Sequence, residues 1–278
     1  MTQSMILSAI LAGPAQVYSP ILDPDAEADA VTVRIESHPG MFALKSFGEQ
    51  LRKRPLDPAG LRLFFASTAE FFREVPGGIL ALALRLTDDW MPHDRFGAVE
   101  KGAQILYSAV DEFGLHQLRR GVQASHHAFF LETAAAFGVT RADLEDPAAI
   151  TQAAREMAAL TALFYRRRPV GESLGFHLAS ELTSDVEFTL CLDGFLAHPE
   201  AYGLSGKDDP KLGFYRIHTQ VEPMHGASSR TAVRDYLQRK PGCAGELAAG
   251  AEAFMDCYGR FFATLTEHLA MPALRQVA

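Results

Sequence analysis

Apolar positions along most of this chain recur at three- and four-residue steps, the period of a helix with one face turned inward. Leu61 to Leu86 spaces Leu, Phe and Ala in this way and is interrupted at Pro76-Gly77-Gly78, which predicts a kink or a helix–helix turn. Phe96 to Phe113 forms a second periodic segment closed by Gly114, and His116 to Phe137 a third closed by Gly138, each glycine standing where a helix C-cap belongs. Thr140 begins Thr-Arg-Ala-Asp143, the spacing of a capping box. Pro147 to Arg168 predicts a fourth helix, with Arg166, Arg167 and Arg168 at its end and Pro169 beyond. Glu172 to Leu196, Asp209 to Gln238 and Gly245 to Leu269 supply three more. The short alternating run Val31-Thr-Val-Arg-Ile35 is the one stretch that reads as a strand.

About seven helical segments joined by short Gly/Pro breaks predict an all-α, single-domain bundle. With 278 residues, one large or two small domains are both allowed, but no low-complexity linker or repeat divides the chain. The polar, Pro-bearing stretch from Pro20 to Ala30 sets off residues 1–45 as an N-terminal extension able to pack on the core, followed by the helical domain over 46–278. The apolar run Met5 to Ala12 is far shorter than the ~20 residues a membrane span needs and lacks a preceding basic region, so neither anchor nor signal peptide is expected.

Charge narrows the partners. Lys plus Arg number 26 against 34 Asp plus Glu, a net charge of −8, which disfavours nucleic acid as a ligand. The three Cys are widely spaced with no CxxC pair, which fits a reducing cytoplasm better than a disulfide framework. Ten His residues in an acidic chain direct attention to metal or proton chemistry.

The sharpest local signal is His218-Thr-Gln-Val-Glu222-Pro-Met-His225. On a helix, Glu222 and His225 fall about 40° and about −20° from His218, so the three side chains leave one face. Two imidazoles and a carboxylate on one edge suit iron, manganese or zinc, with further ligands drawn from facing helices. Chance predicts roughly 0.04 such matches in a chain of this composition, which makes the motif informative without making it decisive. Pro223 within this helix removes one backbone hydrogen bond and predicts a bend or loosening. Upstream, Glu112 near one helix end and His126 near the next helix start are close enough in sequence to meet. For the His126-His127 pair, the plain alternative is one core and one surface residue. The third signal, His177, Glu181 and Asp185 at i, i+4 and i+8, marks either a metal wall or a water-facing stripe, and the residues alone favour the stripe.

These motifs resemble those of the heme-oxygenase-like diiron oxidases, the iron-containing redox enzyme family. The family pattern is an acid-x-x-Gly segment, a His opening an aromatic-rich helix that ends in Gly twelve residues later, an isolated helical Glu, and a final His-x3-Asp/Glu-x2-His. Here the corresponding residues are Glu112; His126 with Phe129, Phe130 and Gly138; Glu181, with Glu187 as its rival; and His218, Glu222 and His225. The resemblance implies two Fe(II) ions held by Glu112, His126, Glu181, His218, Glu222 and His225, with O2 as co-substrate. It implies a non-heme diiron oxidase or oxygenase acting on a small amino-acid-like or fatty-acid-like molecule in a biosynthetic pathway. The oxidation is C–C cleavage, desaturation or N-oxygenation, and an external electron donor and a homodimer are compatible with it. Arg166 to Arg168 and Arg216 are candidates for a substrate carboxylate fork, against the plainer reading as solvated helix-end charges. Two rival functions remain open: a metal-free enzyme of the same fold, quinone-cofactor synthase-like or thiaminase-like with Cys191 as nucleophile, and a non-enzymatic helical binding protein.

Overall fold

The computed structural model describes residues 23–115 and 124–270, and among them there are helices and no strand. In chain order they are α1 (Pro24–Ser37), α2 (Pro39–Lys53), α3 (Pro58–Phe72), α4 (Val75–Trp90), α5 (Ala98–Glu112), α6 (His126–Ala136), α7 (Arg141–Leu144), α8 (Gln152–Arg167), α9 (Val170–Leu196), α10 (Pro199–Tyr202), a 3-10 turn (Pro210–Leu212), α11 (Gly213–Arg239) and α12 (Ala244–Ala270). Ten of them run eleven residues or more, against the expected seven. The excess has two origins. The segment Leu61 to Leu86 is two helices, because Pro76 sits in the first turn of α4, where its missing N–H costs no helix bond. The N-terminal part adds α1 and α2.

Val31 to Ile35 lies inside α1, which corrects the strand expected there. Its β-branched residues alternate by type, yet Ala28, Val31 and Ile35 recur at three and four residues and are the buried ones, so tertiary burial decides the conformation. Position 45 falls within α2, whose Met41, Leu44, Phe47 and Leu51 are buried in the same hydrophobic cluster as the later helices. The apolar run Met5 to Ala12 and the part of the predicted third helix over residues 116–123 lie outside the described residues. Among those described, no helix is long and apolar enough to cross a membrane.

Several helix ends are written locally. Gly114 and Gly138 take φ of 76° and 81°. In each case the next residue's N–H reaches back to the third-last helical carbonyl, Leu115 to Val110 and Val139 to Ala134, both at 2.9 Å. These are Schellman caps, which favour glycine because it adopts positive φ without strain. The Thr140–Asp143 capping box is present in both directions. Ser125 caps α6 by accepting the Ala128 N–H, which fixes where His126 begins.

The long helix α9 is the axis of the molecule. It packs against α2, α11 and α12, with α4 and α8 completing its surroundings. Two glycines allow α9 and α12 to touch closely: a Cβ on Gly175 would collide with the Leu247 carbonyl, and one on Gly250 with the Glu172 carbonyl. Because α9 is enclosed on most sides, polar residues on it are buried as well as apolar ones. Helix α11 lies beside it and also meets α5 and α6. The four helices α5, α6, α9 and α11 frame the interior where the predicted site residues fall.

Candidate metal centre

The structure gathers six acidic and imidazole side chains into two neighbouring triads. Glu112 from the end of α5, His126 from the start of α6 and His218 from α11 form the first; Glu181 from α9 with Glu222 and His225 from α11 forms the second. Within each triad one nitrogen or oxygen per residue lies within 4.8 Å of the others. All six are the residues carried over from the family pattern. Apart from Glu112, which is partly buried, each is buried.

In the first triad Glu112 Oε1 is 3.0 Å from His126 Nδ1 and 3.7 Å from His218 Nε2. The two imidazoles face each other with ring centroids 4.3 Å apart. His218 Nδ1 is 2.7 Å from the Phe214 carbonyl, so that nitrogen carries the proton and donates it, and the Nε2 lone pair is turned toward Glu112. The Phe188 ring stacks on His218 at 3.9 Å, and Phe214 meets its edge. Burial would raise the Glu112 carboxyl, but the charge of His126 and hydrogen bonds from His126 and His218 outweigh it and hold the group well below the usual carboxylate range.

In the second triad His225 Nδ1 stands 3.5 Å from Glu181 Oε2 and 3.6 Å from Glu222 Oε2. Its other nitrogen, Nε2, is 3.0 Å from Asp111 Oδ2. Burial would lower the imidazole, yet hydrogen bonds to Asp111 and Glu222 and the charges of Glu181 and Glu222 push it up to about 11. Glu181 is pushed up to about 8, first by burial and then by Glu222 and Glu112, against the pull of His225. Beyond that 3.6 Å approach of His225, the buried Glu222 Oε2 has no other hydrogen-bonding neighbour. Three carboxylates around one imidazole, with one carboxylate oxygen only loosely met, make a place that electrostatics fills best with added positive charge. A nitrogen-and-oxygen donor set of this kind fits iron.

The remaining sequence candidates divide. His177 and Glu181 do not face water: His177 is fully buried, with Nδ1 3.1 Å from the Tyr165 hydroxyl and 3.5 Å from Glu181 Oε1, and burial takes it down to about 3. Only Asp185, the third member of that face, is half-exposed. The water-facing stripe favoured by the residues alone is therefore corrected, because the axial position of α9 encloses this face. Glu187 sits apart from both triads, accepting a hydrogen bond of 2.7 Å from the Tyr258 hydroxyl. His127 lines the cavity beside the first triad without joining it. Of the candidate arginine fork, Arg166 pairs with Glu74 and Arg168 with Glu172, Arg216 lies 3.9 Å from Asp208, and Arg167 is exposed at the helix end, in keeping with the plainer reading of solvated helix-end charges. Cys191 is buried and its thiol is raised well above the ordinary range by burial and by Glu187, the opposite of an activated nucleophile.

Sequence reasoning missed Asp111. Its neighbour Glu112 drew the attention, yet residues adjacent on a helix point about 100° apart. That divergence lets Asp111 reach His225 while Glu112 reaches His126, an arrangement in which a carboxylate orients a triad imidazole. Helix α11 runs through Pro223 unbroken, with the proline ring exposed.

The chain is also similar to known proteins. The chain is 24% identical over 246 residues to the 4-chloro-allylglycine synthase of Streptantibioticus cattleyicolor, covering 87% of this chain and 84% of that protein. Among solved structures, a CADD-like protein of unknown function from Nostoc punctiforme PCC 73102 matches with a TM-score of 0.59 at 17% identity, over 88% of this chain and 100% of that one. At that identity the likeness speaks for the fold, which is the heme-oxygenase-like helical bundle. A family model described as iron-containing redox enzyme matches residues 101–259, more than half the chain and the whole span of both triads, and the protein belongs to that family.

Proposed function

We propose that the protein is a non-heme diiron oxidase that uses O2 to oxidise a small amino-acid-like molecule in a biosynthetic pathway. The observation that carries this reading is the pairing of two buried triads, each with imidazole nitrogen and carboxylate oxygen, side by side in one interior. Glu112, His126 and His218 would hold one iron, and Glu181, Glu222 and His225 the other. When bound, the two irons supply the electrons and open coordination positions for activating O2. The relative from Streptantibioticus, a synthase of a chlorinated allylglycine, supports an amino-acid-like substrate. The buried cysteines, none of them in a disulfide, support a reducing cytoplasmic setting.

The chain's own groups prepare the site. The Phe214 carbonyl and Asp111 each fix the proton on one ring nitrogen of His218 and His225, leaving the other nitrogen facing its triad. A cavity of about 60 Å³ adjoins the six residues, and Phe72, Phe130, Phe188 and Phe214 contribute its wall. Those rings exclude water and present C–H surface to a substrate side chain. Titration of the purified protein with Fe(II) under anaerobic conditions, followed by O2, tests the reading. Uptake of two irons per chain and a transient visible band are expected. His218→Ala should lose iron from the first triad and Glu222→Ala from the second; full stoichiometry in both variants would reject the assignment.

A further inference from the structure

Glu181 and Glu222 border a second cavity as well as the aromatic one. It has a volume of about 460 Å³ and lies between α1, α2, α9 and α11. Besides Glu181 and Glu222, each of those helices contributes one charge to its wall: Glu36 from α1, Lys45 from α2, Asp185 from α9 and Arg230 from α11. None of the four is engaged in an ion pair or side-chain hydrogen bond among the described residues. Other exposed charges on α1 and α11 do find partners, as in Arg34 with Glu252 and Arg234 with Asp25. Two cations and two anions are thus held apart around a space large enough for a small molecule.

The signs select the ligand. Lys45 and Arg230 oppose a free dication, and Glu36 and Asp185 oppose a simple anion. A zwitterion satisfies both sets, because its carboxylate meets the cations and its ammonium meets the acids. We propose that this cavity is the head-group site for an α-amino acid, with Lys45 and Arg230 receiving the carboxylate and Glu36 and Asp185 the ammonium. The proposal rests on the reading of the triads as an oxidase site for an amino-acid-like substrate and adds where that substrate is recognised. A molecule seated there presents its side chain to Glu181 and Glu222. Glu36 and Lys45 lie outside the residues 101–259 matched by the family model, so the proposed head-group recognition draws partly on the N-terminal helices α1 and α2.

Calorimetric titration tests the site on the full-length protein, both as purified and after anaerobic loading with iron. The probes are the proteinogenic L-amino acids and L-norvaline, with pentanoate and butylamine as counterparts of norvaline lacking the ammonium or the carboxylate. At least one L-amino acid is expected to bind, and the two counterparts to bind more weakly than norvaline. Arg230→Ala and Lys45→Ala should each weaken amino-acid binding about tenfold, the value of one charge-assisted hydrogen bond. Because both side chains are exposed, iron stoichiometry and thermal midpoint should stay unchanged in these variants. Absence of binding by every L-amino acid, or unchanged affinity in both variants, overturns the proposal. Amino-acid binding that is lost in the variants of a protein that takes up no iron would leave the cavity standing and remove the oxidase reading; iron uptake without amino-acid binding does the reverse.

Discussion

His225 shows how one side chain can carry the electrostatics of a site. Its imidazole is drawn up to about 11 and the Glu181 carboxyl to about 8, so both hold protons at neutral pH, and both must release them before their atoms can bind a metal. Iron uptake is therefore expected to liberate protons and to strengthen as pH rises through 8; titration calorimetry in buffers of different ionisation enthalpy measures this, and a pH-independent affinity would contradict it. Asp111→Asn keeps the shape but weakens the acceptor behind His225, and a 10- to 100-fold loss of iron affinity is expected, of the order seen for such outer partners. Glu187 gives a separate test. Burial first, and then Glu222, raise its folded-state value from 4.5 to about 8, so between those limits the native protein binds a proton that the unfolded chain has lost. Stability from this residue is present at low pH and falls as pH rises toward 8. In Glu187→Gln that slope should flatten, read from urea midpoints across the range. Asp111 and Glu187 also show what was legible in the sequence and what was not. The acids of the two triads sit in spaced motifs that periodicity exposes, whereas Asp111 acts through a residue 114 positions away and nothing near it marks that contact.

At the scale of elements, close helix contacts and caps explain where side chains end up. Substituting Gly175 or Gly250 with Ala places a methyl against a carbonyl of the partner helix, and a loss of about 1–3 kcal/mol is expected in chemical denaturation, the usual cost of overpacking. An unchanged midpoint in both variants would mean that α9 and α12 are not held at this distance. The caps at Gly114 and Gly138 and the box at Thr140 were readable because each depends on residues within one turn. The burial of His177 was not, because it depends on which helices surround α9, and the α9 face carrying His177, Glu181 and Asp185 has the same spacing whether it meets water or protein. The pairing of Arg166 was illegible for a related reason, since its partner Glu74 is 92 residues away and is supplied by the fold, whereas the Arg168–Glu172 pair is an i,i+4 neighbour that the sequence itself displays and that agrees with the plainer reading of helix-end charges.

For the whole molecule, the N-terminal helices are part of the interior. Val31 and Ile35 of α1 and Met41, Leu44, Phe47 and Leu51 of α2 belong to the one hydrophobic cluster that includes α9 and α12. A chain beginning after residue 45 would expose Phe47 and Leu51 and lose the others, and it is expected to lose cooperative thermal unfolding; a sharp native-like transition by circular dichroism would show that the later helices fold alone. The family match over 101–259 spans both triads, whereas the burial of residues outside that span joins the N-terminal helices to the same core. The final turn of α5 joins these scales. Asp111 leans on His225 and Glu112 on His126 and His218, so two consecutive residues brace both triads from a single turn that Gly114 closes. That turn is a common strut: fraying it would slacken both halves of the centre together, so the two sites should fill and empty as a linked pair.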